Sequence, residues 1–260
     1  MRILRIAITV GVLVLAWQTV VWVTQVEPYI LPGPAAVLVA WLSRYDLILG
    51  HTQTTAIEIV VGLAAGTLFG VISAIIIAQV RRVRRWLLPV LVISQAVPVF
   101  AIAPLLVLWL GYGMISKIAM ASLIIYFPVT VAFLDGLRRT EAGWLDLAAT
   151  MTAGSTTRRW AVLFYIRIPA ALPALGSGVR VAAAVAPIGA VVGEWVGSSS
   201  GLGYLMLHAN ARVQVDLMFA ALATLAVLAL ALYYAIDWGL RRSMPWQHER
   251  LPGDSDRREV

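Results

Sequence analysis

The sequence contains no cysteine. That removes disulfide staples, thiolate metal sites and cysteine nucleophiles. Its three histidines, His51, His208 and His248, are too scattered for a zinc cluster. There is no G-x-x-x-x-G-K-[ST], so the chain has no P-loop to cradle a nucleotide. There is no H-E-x-x-H and no other nucleophile–base or metal constellation that an intramembrane enzyme would need. Charge is scarce as well. Only 13% of the 260 residues are Asp, Glu, Lys or Arg, against about 25% in an ordinary soluble domain. What is abundant is apolar: 61% of the residues, gathered in long blocks. That is the composition of an all-α polytopic membrane protein. The net charge of +7 does not point to nucleic acid, because the arginines sit in short clusters at the ends of apolar blocks.

A bilayer core about 30 Å thick needs about 20 apolar residues per helix. The uncharged runs predict six spans, at about 6–26, 54–80, 87–110, 115–134, 172–193 and 217–236. The first follows a basic start, as a signal peptide would. It is long enough to span and no A-x-A site follows, so a retained helix is expected. The third contains Pro89, Pro98 and Pro104 and is expected to kink before the tight turn "GYG". Arg180 and Pro187 interrupt the fifth. Six spans place both termini on one face. Arg2, Arg5, "RRVRR" at 81–85, Arg138, Arg139, Arg158, Arg159, Arg167, Arg241 and Arg242 then share that face. Arg44, Lys117 and Arg212 lie on the other. Positive charge is retained inside, so both termini are expected in the cytoplasm. Residues 1–246 form the membrane domain, and 247–260 a polar cytoplasmic tail.

The longest non-spanning segment is the loop at 135–171, between the fourth and fifth spans. A loop of this length is expected to carry structure of its own. "EAGWLDLAATMTA" reads as a helix stopped by Gly154, and "TTRRWAVLFYIRIP" as an amphipathic helix ending before Pro169. In "DLAATMTAG…IRIPAALP" the order is an acidic residue, two alanines, a glycine and a closing Ile-x-Ile-Pro. This resembles the cytoplasmic signature of permeases of binding-protein-dependent ABC importers. The resemblance implies that Asp146, Ala148, Ala149, Gly154, Ile166, Ile168 and Pro169 form the element that couples to an ATPase. The signature here has Asp in place of the usual Glu, Leu147 intervening, Ile168 in place of Leu, and a longer spacing to Pro169. It also implies a type I importer fold with no cofactor in this chain, because ATP and Mg would be bound by partner ATP-binding cassette subunits. The further partners implied are a periplasmic or lipid-anchored binding protein, a second copy of the chain and membrane lipid, in a bacterial inner membrane. "PGPAAVLVAW" and "APIGAVVGEWVGSSSGLGYLMLHANAR" resemble the nitrate, taurine and alkanesulfonate subfamily. Their wording is nearest to permeases for the pyrimidine precursor of thiamine.

Charges inside a membrane are functional suspects by default. Glu58 is expected at an interface, and Asp135 and Asp237 at helix ends beside arginines. Glu194 stands in a soft, glycine-rich run. It is expected either to line a translocation path or to anchor the outer face by meeting Arg212. Gln95, Pro98 and Pro187 are the other candidate path residues, since an interior proline frees carbonyls that can face a wet cavity. A gradient-driven secondary transporter is the rival reading. It would need paired carboxylates at mid-span, and apart from Glu194 no acidic residue is expected there.

Overall fold

The computed structural model describes residues 2–94, 96–151 and 158–246. Among them the ordered structure is helical. Helix α1 is Arg2–Thr24, α2 Pro34–Ser43, α3 Tyr45–Gln79, α4 Arg81–Ser94, α5 Val99–Leu110 and α6 Met114–Arg138. Then follow α7 at Ala142–Met151, α8 at Arg158–Val162, a π-helical turn at Leu163–Arg167, α9 at Ile168–Gly197, α10 at Leu202–Ala211 and α11 at Val215–Ser243. Four stretches are long and apolar enough to cross a bilayer: α3, α6, the continuous helix Trp160–Gly197, and α11.

The centre is α6, gripped between α3 and α9. In lipid the hydrophobic effect does not drive helices together, so close backbone approach and van der Waals contact must do it. The sequence supplies small residues for this. On α3, Gly62, Gly66 and Gly70 recur every fourth residue, in register with Ala121, Ile125 and Val129 of α6. A Cβ on Gly62 would stand 2.6 Å from Ala121 Cβ, and one on Gly66 2.7 Å from Ile125 Cγ2. From the other side Gly189 of α9 lies against the Ala121 backbone, and Gly178 against Ala132 and the Pro128 carbonyl. Burial separates α6 and α9 from the outer helices. Half of the α9 window and 44% of that of α6 are enclosed, against 28% for α3 and 22% for α11. The outer faces of α3 and α11 carry exposed Leu68, Phe69, Ile72, Val227 and Leu230, the side chains a lipid tail accepts.

Several expectations are corrected. Helix α3, which holds the predicted second span, begins at Tyr45, well before the predicted start near residue 54. The run predicted as one kinked span at 87–110 is two helices, α4 and α5, bent by 105° at the break before Pro98. The helix predicted to end before Pro169 does not end there. Ile168 N–H donates to the Leu163 carbonyl, the five-residue reach of a π turn, and the chain passes directly into α9. The wider turn leaves room for a proline ring that would otherwise meet the carbonyl four residues back. Arg180 does not interrupt α9. Its Nε donates to Asp237 of α11 at 2.6 Å, and Arg241 donates to the same carboxylate at 2.8 Å. The "GYG" turn is present, with Gly111 at φ 82° and Gly113 at φ 159°.

Candidate functional site

One face of α3 carries His51, Thr55 and Glu58 at helical spacing, and the same face continues into Gly62 and Gly66. Because that face is pressed onto α6 and α9, Thr55 and Glu58 are buried, and His51 is half-buried. Glu58 is not interfacial, as the sequence suggested. It is 0% exposed and paired with Lys117 of α6 at 2.5 Å. Lys117 lies in the first turn of α6. It is 4% exposed and also donates to Ser198 Oγ at 2.9 Å. Glu194 of α9 does not meet Arg212. It accepts from Thr55 Oγ1 at 2.6 Å, from Gly203 N–H at 2.5 Å and, more loosely, from Tyr204 N–H at 3.4 Å. A second acidic residue is therefore buried among the helices besides Glu194, contrary to the expectation from sequence.

The remaining donors of this corner complete the pattern. Leu202 N–H donates to Thr55 Oγ1 at 2.7 Å, and Gly201 N–H to His51 Nδ1 at 2.9 Å. Nδ1 accepts in that bond, which leaves the proton of the neutral ring on Nε2. The N–H groups of residues 201–204, which no turn of α10 can satisfy, are thus capped by side chains of α3 and α9. A carboxylate at this end also opposes the positive pole of the helix. Glu194 is the tie that seats α10 in the bundle. We expect Thr55→Val to lower stability by about 3 kcal/mol, because it strands the Leu202 donor and removes a Glu194 partner. The check is thermal unfolding in detergent, with Thr55→Ser restoring the midpoint.

The other predicted site residues divide. Pro187 is buried two turns before Glu194 on α9. Pro98 is exposed at the α4–α5 break and is no part of the cluster. Gln95 and Gly154 lie outside the described residues. On α7, Asp146 is exposed, Ala148 buried and Ala149 half-buried. Ile166 is half-buried in the π turn, and Pro169 is exposed at the start of α9. Around them Trp144, Leu147, Met151, Trp160, Phe164 and Tyr165 are exposed, with Trp160 and Phe164 stacked at 6.1 Å.

A helical membrane bundle with an exposed apolar segment between α6 and α9 has the build of a transport subunit. The family comparison agrees. Residues 66–246 match the binding-protein-dependent transport system inner membrane component family, and the chain belongs to it. It is therefore an ABC importer permease subunit that works with ATPase and substrate-binding partners. It is 57% identical over 241 residues to a probable ABC transporter permease protein of Haemophilus influenzae, covering 93% of this chain and 97% of that one. It is 35% identical to the formylaminopyrimidine transport permease protein ThiX of Halalkalibacterium halodurans, covering 86% and 88%. It is 36% identical to the riboflavin transport system permease protein RibX of Chloroflexus aurantiacus, covering 94% and 90%.

Proposed function

We propose that this permease imports a small nitrogen heterocycle, the pyrimidine precursor of thiamine, as a homodimer of six-span subunits with both termini in the cytoplasm. The similarity to ThiX over most of both chains carries the choice of solute. A riboflavin solute is the second reading, favoured by the similarity to RibX. Taurine is the third, since a taurine permease of Escherichia coli is 30% identical.

In this reading the partner ATPases, which bind ATP and Mg, dock on the segment from Asp146 to Pro169. The exposed aromatic patch there supports the assignment. Ala148 and Ala149 let α7 approach a partner closely. A stroke at Trp160 passes into α9 without a break, because the π turn joins α8 to α9. Gln95, Pro98 and Pro187 remain candidates for the path, with Glu194 beside it as the tie of α10. Two conformations are needed, and each partner shifts their balance only by binding one of them more tightly.

Two measurements test this. The chain has no native cysteine, so single cysteines at Ala149 or Gly154 should crosslink to the ATPase subunit in the assembled complex. A cysteine at Arg44 should not. The cognate binding protein should bind the aminopyrimidine more tightly than riboflavin or taurine, and reconstituted uptake should require ATP. Preference for riboflavin or taurine would replace the solute while leaving the crosslinks intact.

A further inference from the structure

We propose that the pocket where α3, α4 and the π turn meet is a binding site for an anionic phospholipid, with its phosphate among Arg81, Arg82, Arg84 and Arg167. The cavity measures about 900 Å³ and is lined by these four arginines together with Gln79 and Leu145, among other residues. Among the described residues no carboxylate lines it. Arg81, Arg82 and Arg84 form no ion pair among the described residues, and Arg167 Nε is buried without a hydrogen-bond partner. Four guanidinium groups around one space repel each other unless an anion sits between them. A phosphate oxygen triad matches their planar donor forks.

A second observation selects a lipid over a soluble anion. Arg82 also lines an open apolar groove of about 380 Å³, whose other walls are Val83, Trp86, Leu87 and Val90 of α4. Headgroup cavity and apolar groove therefore share one arginine. Inorganic phosphate or an acidic protein surface would fill the first and leave the second bare, whereas an amphiphile fills both. Helix α4 itself is built for the boundary. Its first five residues include four arginines, Trp86 is 80% exposed, and the rest is apolar up to Ser94. Such a helix lies in the interface and is drawn to anionic lipid. The site also touches Leu145 of α7 and Arg167 of the π turn, so its occupant bridges the membrane-surface helix and the segment proposed to receive the ATPase. The inference stands whichever solute is carried.

The test is native mass spectrometry of the intact complex, purified with its ATPase subunit and titrated with dioleoyl phosphatidylglycerol or phosphatidylcholine. Tight adducts are expected with phosphatidylglycerol only. The double variant R82Q/R84Q should bind it roughly tenfold more weakly or worse, since each interfacial arginine contributes about 1 kcal/mol to anionic-lipid attraction. Arg85→Gln removes an adjacent charge that lines neither space, and should leave the adducts unchanged. Trp86→Ala, which keeps every arginine, should weaken the dioleoyl lipid and spare the dioctanoyl one. That arm remains informative if the double variant fails to assemble. Undiminished adducts in R82Q/R84Q would overturn the proposal. So would equal effects of Trp86→Ala on both chain lengths, or displacement of the lipid by millimolar inorganic phosphate. Loss of the ATPase subunit with lipid adducts intact would also overturn it, by marking the pocket as a protein interface.

Discussion

Lys117→Met is expected to cost about 3–5 kcal/mol of stability, because it leaves the Glu58 carboxylate buried without its countercharge. The reciprocal change, Glu58→Gln, should be costly in the same way. The double variant E58Q/K117M should recover most of the loss, since two neutral side chains of similar volume need no partner of opposite sign. Recovery will be incomplete, because Lys117 also holds Ser198. Melting curves of the four proteins in one detergent decide it. A double variant no better than either single would mean that shape, not charge, sets the requirement at this position.

Gly201→Ala should abolish uptake. Gly201 has φ 115°, which side-chain-bearing residues adopt at a cost of about 1–3 kcal/mol. The space is also taken. An added Cβ would lie 2.2 Å from Glu194 Cδ, so the carboxylate would have to leave the N-terminus of α10. Overpacking adds about another 1–3 kcal/mol. Gly203→Ala is the graded comparison. Its Cβ would meet Glu194 Oε2 at 2.8 Å and Val191 Cα and Cγ1 at 3.1 Å, less closely than at Gly201 and with no positive φ, so a partial loss is expected. Uptake must be read against the amount of protein in the membrane. Normal uptake by Gly201→Ala at normal abundance would refute the capped geometry of α10.

The apolar runs were legible in the sequence, and so was the suspicion attached to Glu194. What was hidden has definable physical causes. The Glu58–Lys117 pair joins residues far apart in the chain, and nothing local to either announces the other. Yet a signal was available: His51, Thr55, Glu58, Gly62, Gly66 and Gly70 fall at intervals of three or four, which puts polar and small residues on a single helix face. Read as a face, it predicts a buried polar patch continuous with a helix-packing stripe. Read as a hydropathy window, it is invisible. Buried Glu58 supplies a second carboxylate beside Glu194, so carboxylate count alone does not exclude a gradient-driven transporter. The conclusion survives on family membership. Pro169 misled for another reason. A proline normally closes a helix, but a π turn just before it absorbs the conflict, and no residue pattern distinguishes that outcome from a break. The short helix α10 was unreadable because its supports come from α3 and α9, not from its own sequence.

The glycine stripe has a mechanical corollary. Where glycine faces only short or β-branched side chains such as Ala121, Ile125 and Val129, there is little to reshuffle into a new rotamer, and a slide of one helix along another drives Cα against Cβ. Helices α3, α6 and α9 therefore travel as a single solid piece. If this importer has moving parts within one subunit, they are the lightly held members at its rim: α1, and the α4–α5 elbow.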